Sequence, residues 1–222
     1  DVKVLYYGYD EEDFTGNELS KEQQEKLIAL EKKFVINHAG LLGIDRFPKI
    51  FLEVLSELVK ESVEFKNDLL LYFPGEVDYS IKSFIRKLDL QENTVYPGHV
   101  SKDLAIESMK MSSLLLLPLN KAENVKGRLP GKLYEYLRSY TPLLALGPED
   151  SDVNNILKQT QTGLCLNYDD GDKIKEYIQN VYRKYRRGES ENKYSKVEIS
   201  RFDVKNQTRI LAGYLNELTN AE

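Results

Sequence analysis

A lysine and a glutamate begin a helical pattern in GRLPGKLYEYLRSYTPLLAL, residues 127–146. Glycine and proline indicate a loop before it, and Lys132 and Glu135 share one helical face. A helix start attracts anions through its free N–H groups, and Lys132 adds a full positive charge. A carboxylate such as Glu135 suits the vicinal hydroxyls of ribose. The segment therefore suits a nucleoside diphosphate, and a surface salt bridge between Lys132 and Glu135 explains the spacing about as well.

A second group of candidates lies in AGLLGIDR, residues 39–46. Gly40 and Gly43 allow the backbone to approach a ligand closely, and we expect Arg46 to open the next helix. Arginine is a fork-shaped phosphate donor, but its charge opposes the helix dipole at a helix start. A bound phosphate would explain its position there. The alternative is a solvated surface arginine.

Six continuous apolar runs must position these groups: residues 34–38, 69–73, 94–97, 114–118, 142–146 and 163–168. Continuous runs are typical of strands that are buried on both faces. Helical periods separate them, so we predict an α/β fold with a doubly wound, parallel, six-stranded sheet. Ligands bind such sheets outside the carboxyl ends of the strands. Residues 39–45, 74–79, 98–100, 118–131 and 147–151 form the loops that leave those ends.

The helical periods predict helices over residues 47–58, 81–88, 133–140, 174–185 and 204–218. Ser20 and Gln23 are placed as a capping box for a polar helix over residues 20–32, and residues 2–7 are predicted to form a short strand. The chain begins inside this strand-like run without a methionine, so we expect an N-terminal part to be absent. We predict a linker region over residues 1–32 and a Rossmann-like domain over residues 33–222.

Composition excludes several function classes. A net charge of −5 argues against general nucleic-acid binding. The sequence has no dinucleotide fingerprint, no P-loop and no serine-hydrolase elbow. His38 and His99 are far apart and have no cysteine partner, so we expect no metal site. The one cysteine, Cys165, lies in an apolar run, and we predict that it is a buried small residue rather than a nucleophile.

Several segments are similar to those of a known family. Over nearly its whole length, the chain resembles the C-terminal, donor-binding half of a GT-B fold glycosyltransferase of family 4 type (glycosyl transferases group 1). The most specific match is residues 127–146, which look like the signature KxxEYLAxGxPVLA. The other matches are YYGYDEEDF (6–14), HAGLLGIDRFPKIFLEVL (38–55), VYPGHVSKDLAIESMKMSSLLLLPL (95–119) and FDVKNQTRILAGYLNEL (202–218).

This resemblance implies a role for each matching residue. Arg46 and Lys132 would bind the donor diphosphate and serve as the catalytic cations. Glu135 would hold the ribose as the second acid of the E-x7-E motif. Gly98, His99 and Val100 match the loop whose backbone recognises the base. The other expected donor contacts are Gly40, Gly43, Gly131 and Leu133. For His99, a packing or solvent-facing role remains the alternative.

The chain also departs from the family pattern. Gly127 stands where the first acid of E-x7-E is expected, which puts the sugar contacts in doubt. Leu41 replaces an arginine that often follows the first loop glycine. Arg138 and Tyr140 replace the small residues of the family's LAxG.

The resemblance implies transfer of a sugar from a UDP- or GDP-linked donor, with retention and without a metal or other cofactor. The expected partners are this donor, the absent N-terminal domain and an acceptor, either lipid-linked or a polysaccharide. A non-catalytic nucleotide-binding domain and half of a sugar-nucleotide epimerase remain alternatives. We expect a cytoplasmic protein. The basic stretch at residues 182–188 is read as a solvated helix end, with contact to the inner membrane face as the alternative.

Overall fold

One parallel sheet of six strands organises the chain, in the order β3-β2-β1-β4-β5-β6. The computed structural model describes residues 2–15, 19–189 and 194–219. Its strands are β1 (Phe34–Asn37), β2 (Leu69–Pro74), β3 (Thr94–Gly98), β4 (Leu114–Pro118), β5 (Leu143–Leu146) and β6 (Gly163–Leu166). All six coincide with predicted strands, and the doubly wound α/β fold is confirmed.

Ten helices accompany the sheet within the described residues. They are α1 (Lys21–Ile28), α2 (Lys49–Glu61), α3 (Val63–Asp68), α4 (Tyr79–Lys87), α5 (Lys102–Lys110), α6 (Lys132–Arg138), α7 (Asp152–Thr160), α8 (Gly171–Arg186), α9 (Lys196–Ser200) and α10 (Val204–Thr219). None of the helices in this part of the chain is long and apolar enough to cross a membrane. The predicted capping box of α1 is present, with Ser20 and Gln23 each accepting from the other's backbone N–H.

Apolar side chains cover both faces of the sheet, which explains the continuous runs in the sequence. Within β4, Leu114 and Leu116 pack with residues of α2, α4 and α8. Leu115 and Leu117 point to the other face and pack with residues of α5, α6 and α7. Alternate residues of one strand thus serve two separate cores, so none of these positions can be polar without a partner. Cys165 belongs to the second core, and burial raises the pKa of its thiol to about 11, as suits a structural residue.

The N-terminal segment departs from the prediction. Residues 2–7 form no strand, and the amide of Tyr6 donates to the side chain of Gln207 in α10 at 2.8 Å. Tyr9 forms an isolated bridge with Asp203. The prediction of a strand was wrong because this segment runs against α10 and the turn before it, where it meets no sheet edge. The strand-like run by itself could not reveal that partner.

An acidic 3₁₀ turn, Glu11–Phe14, ties this segment to the Rossmann-like fold. Glu11 forms a bidentate ion pair with Arg138, whose side chain is 16% exposed. Phe14 is buried in the same core as α6 and lies beneath the guanidinium of Arg138, 4.9 Å from it. Residues before position 33 therefore share a core with those after it. The boundary at residue 33 stays a prediction, and residues 1, 16–18, 190–193 and 220–222 lie outside the described chain.

Tyr140 ends the turn after α6 in the left-handed region, with φ of +55°. Glycine adopts this conformation freely, whereas other residues lose about 1–2 kcal/mol. The ring lies 5.0 Å from the guanidinium of Arg138 and 5.5 Å from the ammonium of Lys196. Cation–π contacts of this kind contribute about 0.5–1 kcal/mol each at exposed sites. The two residues that depart from the family's LAxG pattern, Arg138 and Tyr140, are therefore joined to each other by direct contact.

Candidate functional site

A cavity opens where the order of the strands reverses, between β1 and β4. Open α/β sheets bind ligands at this switch point, outside the carboxyl ends of the strands. The cavity has a volume of about 250 Å³, and we call it the switch-point cavity. Its lining includes His38, Arg46, Asn120, Arg128, Gly131 and Lys132. A larger cavity of about 650 Å³ lies at the opposite edge of the sheet, before β4, β5 and β6, away from the predicted site residues.

Lys132 is the most constrained of the cavity's cations. Its ammonium donates to the carbonyl of Ala39 at 2.8 Å and lies 3.3 Å from Nε2 of His38. Burial, helped by nearby Arg46, lowers the pKa of Lys132 from 10.5 to about 8. The alternative of a salt bridge with Glu135 was wrong, because the Lys132 ammonium reaches across to the loop after β1 and forms no ion pair among the described residues. A partly desolvated cation that lacks a carboxylate partner favours an anionic ligand.

The lowered pKa of Lys132 predicts a specific pH dependence of stability. The unfolded lysine keeps its proton to about pH 10.5, so between pH 8 and 10.5 the unfolded state binds more protons than the folded state. The free energy of unfolding of the wild type, relative to Lys132→Met, should therefore rise with pH across that window and stay level between pH 6 and 7. Urea denaturation of both proteins at several pH values measures this difference. A difference that does not change with pH would contradict the buried, charged lysine.

His38 is a site residue that sequence reasoning missed. Its side chain is fully buried at the end of β1, with Nδ1 2.9 Å from the carbonyl of Leu116 and Nε2 3.3 Å from that of Leu41. Burial and the charge of Lys132 lower the pKa of His38 to about 3. The ring is therefore neutral at physiological pH. Its position directly after the first predicted strand could have indicated a place in the site, but we considered His38 only as a metal ligand.

Glycines let the loops after β1 and β2 come into contact. Gly40 has φ of +104°, and a Cβ there would lie 3.0 Å from the ammonium of Lys132. Gly75 has φ of +130°, and a Cβ there would lie 2.5 Å from the carbonyl oxygen of Gly40. Gly43 does not need left-handed backbone, since its φ is −87°. At Gly40 the close neighbour is Lys132, and the expected approach of the Gly40 and Gly43 backbone to a ligand stays a prediction.

Arg46 lies in the cavity but not at a helix start. It ends a 3₁₀ turn, Ile44–Arg46, and α2 begins only at Lys49, so the predicted opening of the helix by Arg46 was wrong. The helix dipole therefore no longer supports a bound phosphate at Arg46. Its guanidinium pairs with the neighbouring Asp45 at 2.9 Å and lowers the pKa of that carboxyl. Arg128, a further lining cation, was missed although it stands inside the segment that we singled out.

The start of α6 offers fewer free amides than expected. Gly131 caps the helix, and the amide of Leu133 already donates to the carbonyl of Pro130 at 3.0 Å. The side chain of Leu133 lies in the core. Of the amides at the start of α6, those of Gly131 and Lys132 have no acceptor among the described residues. Since α6 has only seven residues, the positive charge at this site comes chiefly from side chains.

Glu135 lies on the side of α6 that faces α5. The half-buried carboxyl has Lys102, Asp13 and Lys132 as its charged neighbours. Burial raises the pKa of Glu135 above its ordinary value, and the positive charge of Lys102 opposes this effect. Lys102 itself pairs with Asp13 of the N-terminal turn. The predicted ribose-binding acid therefore has the partial desolvation that would strengthen hydrogen bonds from hydroxyl groups.

The loop after β3 places its three predicted residues differently. Gly98 adopts φ of +75°, and its carbonyl accepts from the amide of Gly75 at 2.7 Å. His99 is exposed, whereas Val100 is half-buried against the core of α1 and α5. An exposed His99 is compatible with both of its interpretations. The link between Gly98 and Gly75 joins this loop to those after β1 and β2.

Gly127, where an acid was expected, lies in a 3₁₀ turn beside α7. A Cβ at this position would lie 3.8 Å from Oδ2 of Asp152. A carboxylate at position 127 would therefore stand close to that of Asp152, and like charges at short distance repel. This proximity gives a physical reason for glycine here.

No group of three or more metal-ligating side chains is found in the described ranges.

Comparisons with solved structures show proteins that share the fold of this chain. In the structure of Anabaena HepE with UDP, the aligned part has a TM-score of 0.73 at 15% identity, covering 97% of this chain and 57% of HepE. Sucrose-phosphate synthase from Thermosynechococcus elongatus gives a TM-score of 0.73 at 12% identity, covering 99% of this chain and 53% of that one. A glycosyltransferase from Rickettsia africae gives 0.72 at 13% identity, covering 99% and 58%. The chain thus spans little more than half the length of these proteins.

No curated protein sequence matches the chain significantly. The sequence family described as "Glycosyl transferases group 1" matches residues 20–198. This stretch contains every predicted site residue and most of the chain. The sheet order is that of the Rossmann-like fold of its GT-B neighbours. The chain therefore belongs to the glycosyl transferases group 1 family.

Proposed function

We propose that this chain is the donor-binding half of a glycosyltransferase that moves a sugar from a UDP- or GDP-linked donor to an acceptor. One observation carries the proposal: Arg46, Arg128 and Lys132 converge on the switch-point cavity, beside the amides of Gly131 and Lys132. Three cations with two free amides suit a diphosphate. The UDP and UDP-glucose complexes of HepE support this ligand class.

The proposed chemistry is stabilisation of a leaving diphosphate. Negative charge grows on the diphosphate as the glycosidic bond breaks, so the side chains of Arg46 and Lys132 would stabilise the transition state more than the bound donor. These cations can supply the positive charge that the leaving group needs, and we therefore propose a transfer that requires no metal ion. We propose retention of configuration from the resemblance to the family alone. Glu135 would hold the ribose, and the loop 98–100 would contact the base.

The acceptor and any catalytic base belong, in this proposal, to an N-terminal domain outside the 222 residues. The length of the solved neighbours supports this division, since the chain covers only 53–58% of them. We expect the isolated chain to bind donor without transferring the sugar. An acceptor that is lipid-linked or a polysaccharide, at the cytoplasmic face of a membrane, completes the proposal.

A panel of UDP, GDP, ADP and CMP in a thermal-shift assay tests the donor site. A ligand present at about 100 times its Kd stabilises the folded state by about 2.7 kcal/mol. For a domain of this size, the expected increase in Tm is roughly 5–10 °C. The double variant Arg46→Ala, Lys132→Ala should lose this increase. Equal increases in the wild type and the double variant would place nucleotide binding elsewhere.

A non-catalytic nucleotide-binding domain is the second candidate function. The glycine at position 127 favours it, because no carboxylate there can contact a transferred sugar. Half of a sugar-nucleotide epimerase is a third. Product analysis with the complete protein separates the three functions. A glycosylated acceptor indicates a glycosyltransferase, an unchanged donor indicates a non-catalytic binding domain, and an epimerised nucleotide-sugar indicates an epimerase.

A further inference from the structure

Most N–H donors of the Lys132 ammonium already face acceptors of the protein before any ligand binds. An ammonium has three N–H donors. One donates to the carbonyl of Ala39 at 2.8 Å, and a second faces Nε2 of His38 at 3.3 Å. One donor therefore remains for a ligand in the switch-point cavity, which Lys132 lines. Since Ala39 is adjacent to His38, both protein acceptors come from the end of β1.

The neighbours of His38 determine which ring nitrogen carries the proton. Nδ1 lies 2.9 Å from the carbonyl of Leu116, whereas Nε2 lies 3.3 Å from that of Leu41. A proton on Nδ1 makes the shorter hydrogen bond and leaves the lone pair of Nε2 free for the Lys132 ammonium. A proton on Nε2 would instead place two nitrogen donors face to face and two acceptors 2.9 Å apart. The Nδ1–H form satisfies these groups better.

We propose that His38 is a positioning residue, whose Nε2 lone pair orients the Lys132 ammonium so that one N–H is left for the diphosphate of the donor. The role in donor binding rests on the proposed function, but the contact between the two side chains does not. The other charged groups that act on Lys132 are Arg46, which disfavours its protonated form, and Glu135, which favours it. Neither forms a hydrogen bond with the ammonium, so His38 supplies its only side-chain acceptor among the described residues.

Two measurements without ligand test the contact, the first on the wild type and the second on the wild type and two His38 variants. Long-range ¹⁵N–¹H correlation should show His38 neutral at pH 7 with the proton on Nδ1. Titration of the Lys132 Cε signal, assigned with Lys132→Met, should give a pKa that falls by about one unit in His38→Phe, since the lost hydrogen bond stabilises the charged form. His38→Gln carries both a donor and an acceptor and should restore most of the shift. A proton on Nε2, or an unchanged Lys132 titration in a folded His38→Phe protein, overturns the proposal.

Calorimetry with UDP at pH 7.5 then measures the consequence for binding. We expect His38→Phe to raise the Kd about tenfold and His38→Gln to remain within about threefold of the wild type. The matched control is Thr141→Val, which removes a buried hydrogen bond to the carbonyl of Met109 at the other end of the sheet. It should lower stability and leave the Kd unchanged. If neither the wild type nor the variants bind UDP but the Lys132 pKa still shifts in His38→Phe, the contact is supported and the donor proposal is wrong. If the wild type and His38→Phe bind UDP with equal Kd values, the role of His38 in binding is wrong.

Discussion

Lys132→Met should weaken the binding of UDP about 10- to 100-fold, as measured by isothermal titration calorimetry at pH 7. Charge-assisted hydrogen bonds contribute about 1.5–3 kcal/mol, and methionine keeps most of the volume of the side chain while removing the charge. The ammonium of Lys132 lies beside Gly40, His38 and Ala39, so its position is set by the loop after β1. The loss should therefore appear in affinity rather than in the fold.

Lys126→Met is the matched control for this experiment. Lys126 lies in the same loop segment but is exposed and pairs with Asp150 at 2.6 Å, outside the switch-point cavity. Exposed pairs of this kind contribute about 0–1 kcal/mol, so stability and UDP affinity should both stay close to the wild type. If Lys132→Met binds UDP within twofold of the wild type, the phosphate role of Lys132 is wrong. If both variants weaken binding equally, general electrostatic attraction is the cause.

Gly75→Ala should cause the largest loss of stability among single methyl additions near the site. Its φ of +130° is strained for any other residue, and the new Cβ would meet the oxygen, carbon and Cα of Gly40 at 2.5, 2.7 and 2.9 Å. All three are backbone atoms that a rotamer change cannot move. Left-handed strain costs about 1–2 kcal/mol and overpacking about 1–3 kcal/mol more. We expect a loss of about 2–5 kcal/mol in the free energy of unfolding, measured by urea denaturation.

Gly75→Ala should also disturb the site. The amide of Gly40 donates to the carbonyl of Pro74, and that of Gly75 donates to Gly98, each at 2.7 Å. A shift of Gly40 therefore reaches both Lys132 and the loop after β3. The control is Gly213→Ala in α10, where an added Cβ has no neighbour within 4 Å; alanine there should be neutral or stabilise the helix by up to about 1 kcal/mol. Equal stability of the two variants would contradict the close approach of the two loops.

The positions of the strands were predictable because local sequence carries their signal. A strand that is buried on both faces must be apolar at every position, and six such runs are visible without knowing their partners. Helices α5 and α7 were not predicted, and each buries polar residues, such as Ser108 and Asn154. Ser108 donates to the carbonyl of Ala105 and accepts from the side chain of Asn37, whereas Asn154 donates to the carbonyl of Glu149 and accepts from the amide of Cys165. A pattern of apolar residues in the sequence does not show such contacts, so it did not predict these two helices.

The sequence by itself determined the fold class, the buried Cys165 and the two segments that carry Lys132 and Arg46. Its limit was pairing between segments that are distant along the chain. His38 and Lys132 are 94 residues apart, and only the parallel pairing of β1 with β4 places both at one switch point. The same pairing decided that Lys132 contacts the loop after β1 rather than Glu135. The physical reason is that local propensities set where a strand lies, whereas burial of both faces of the sheet sets its neighbours.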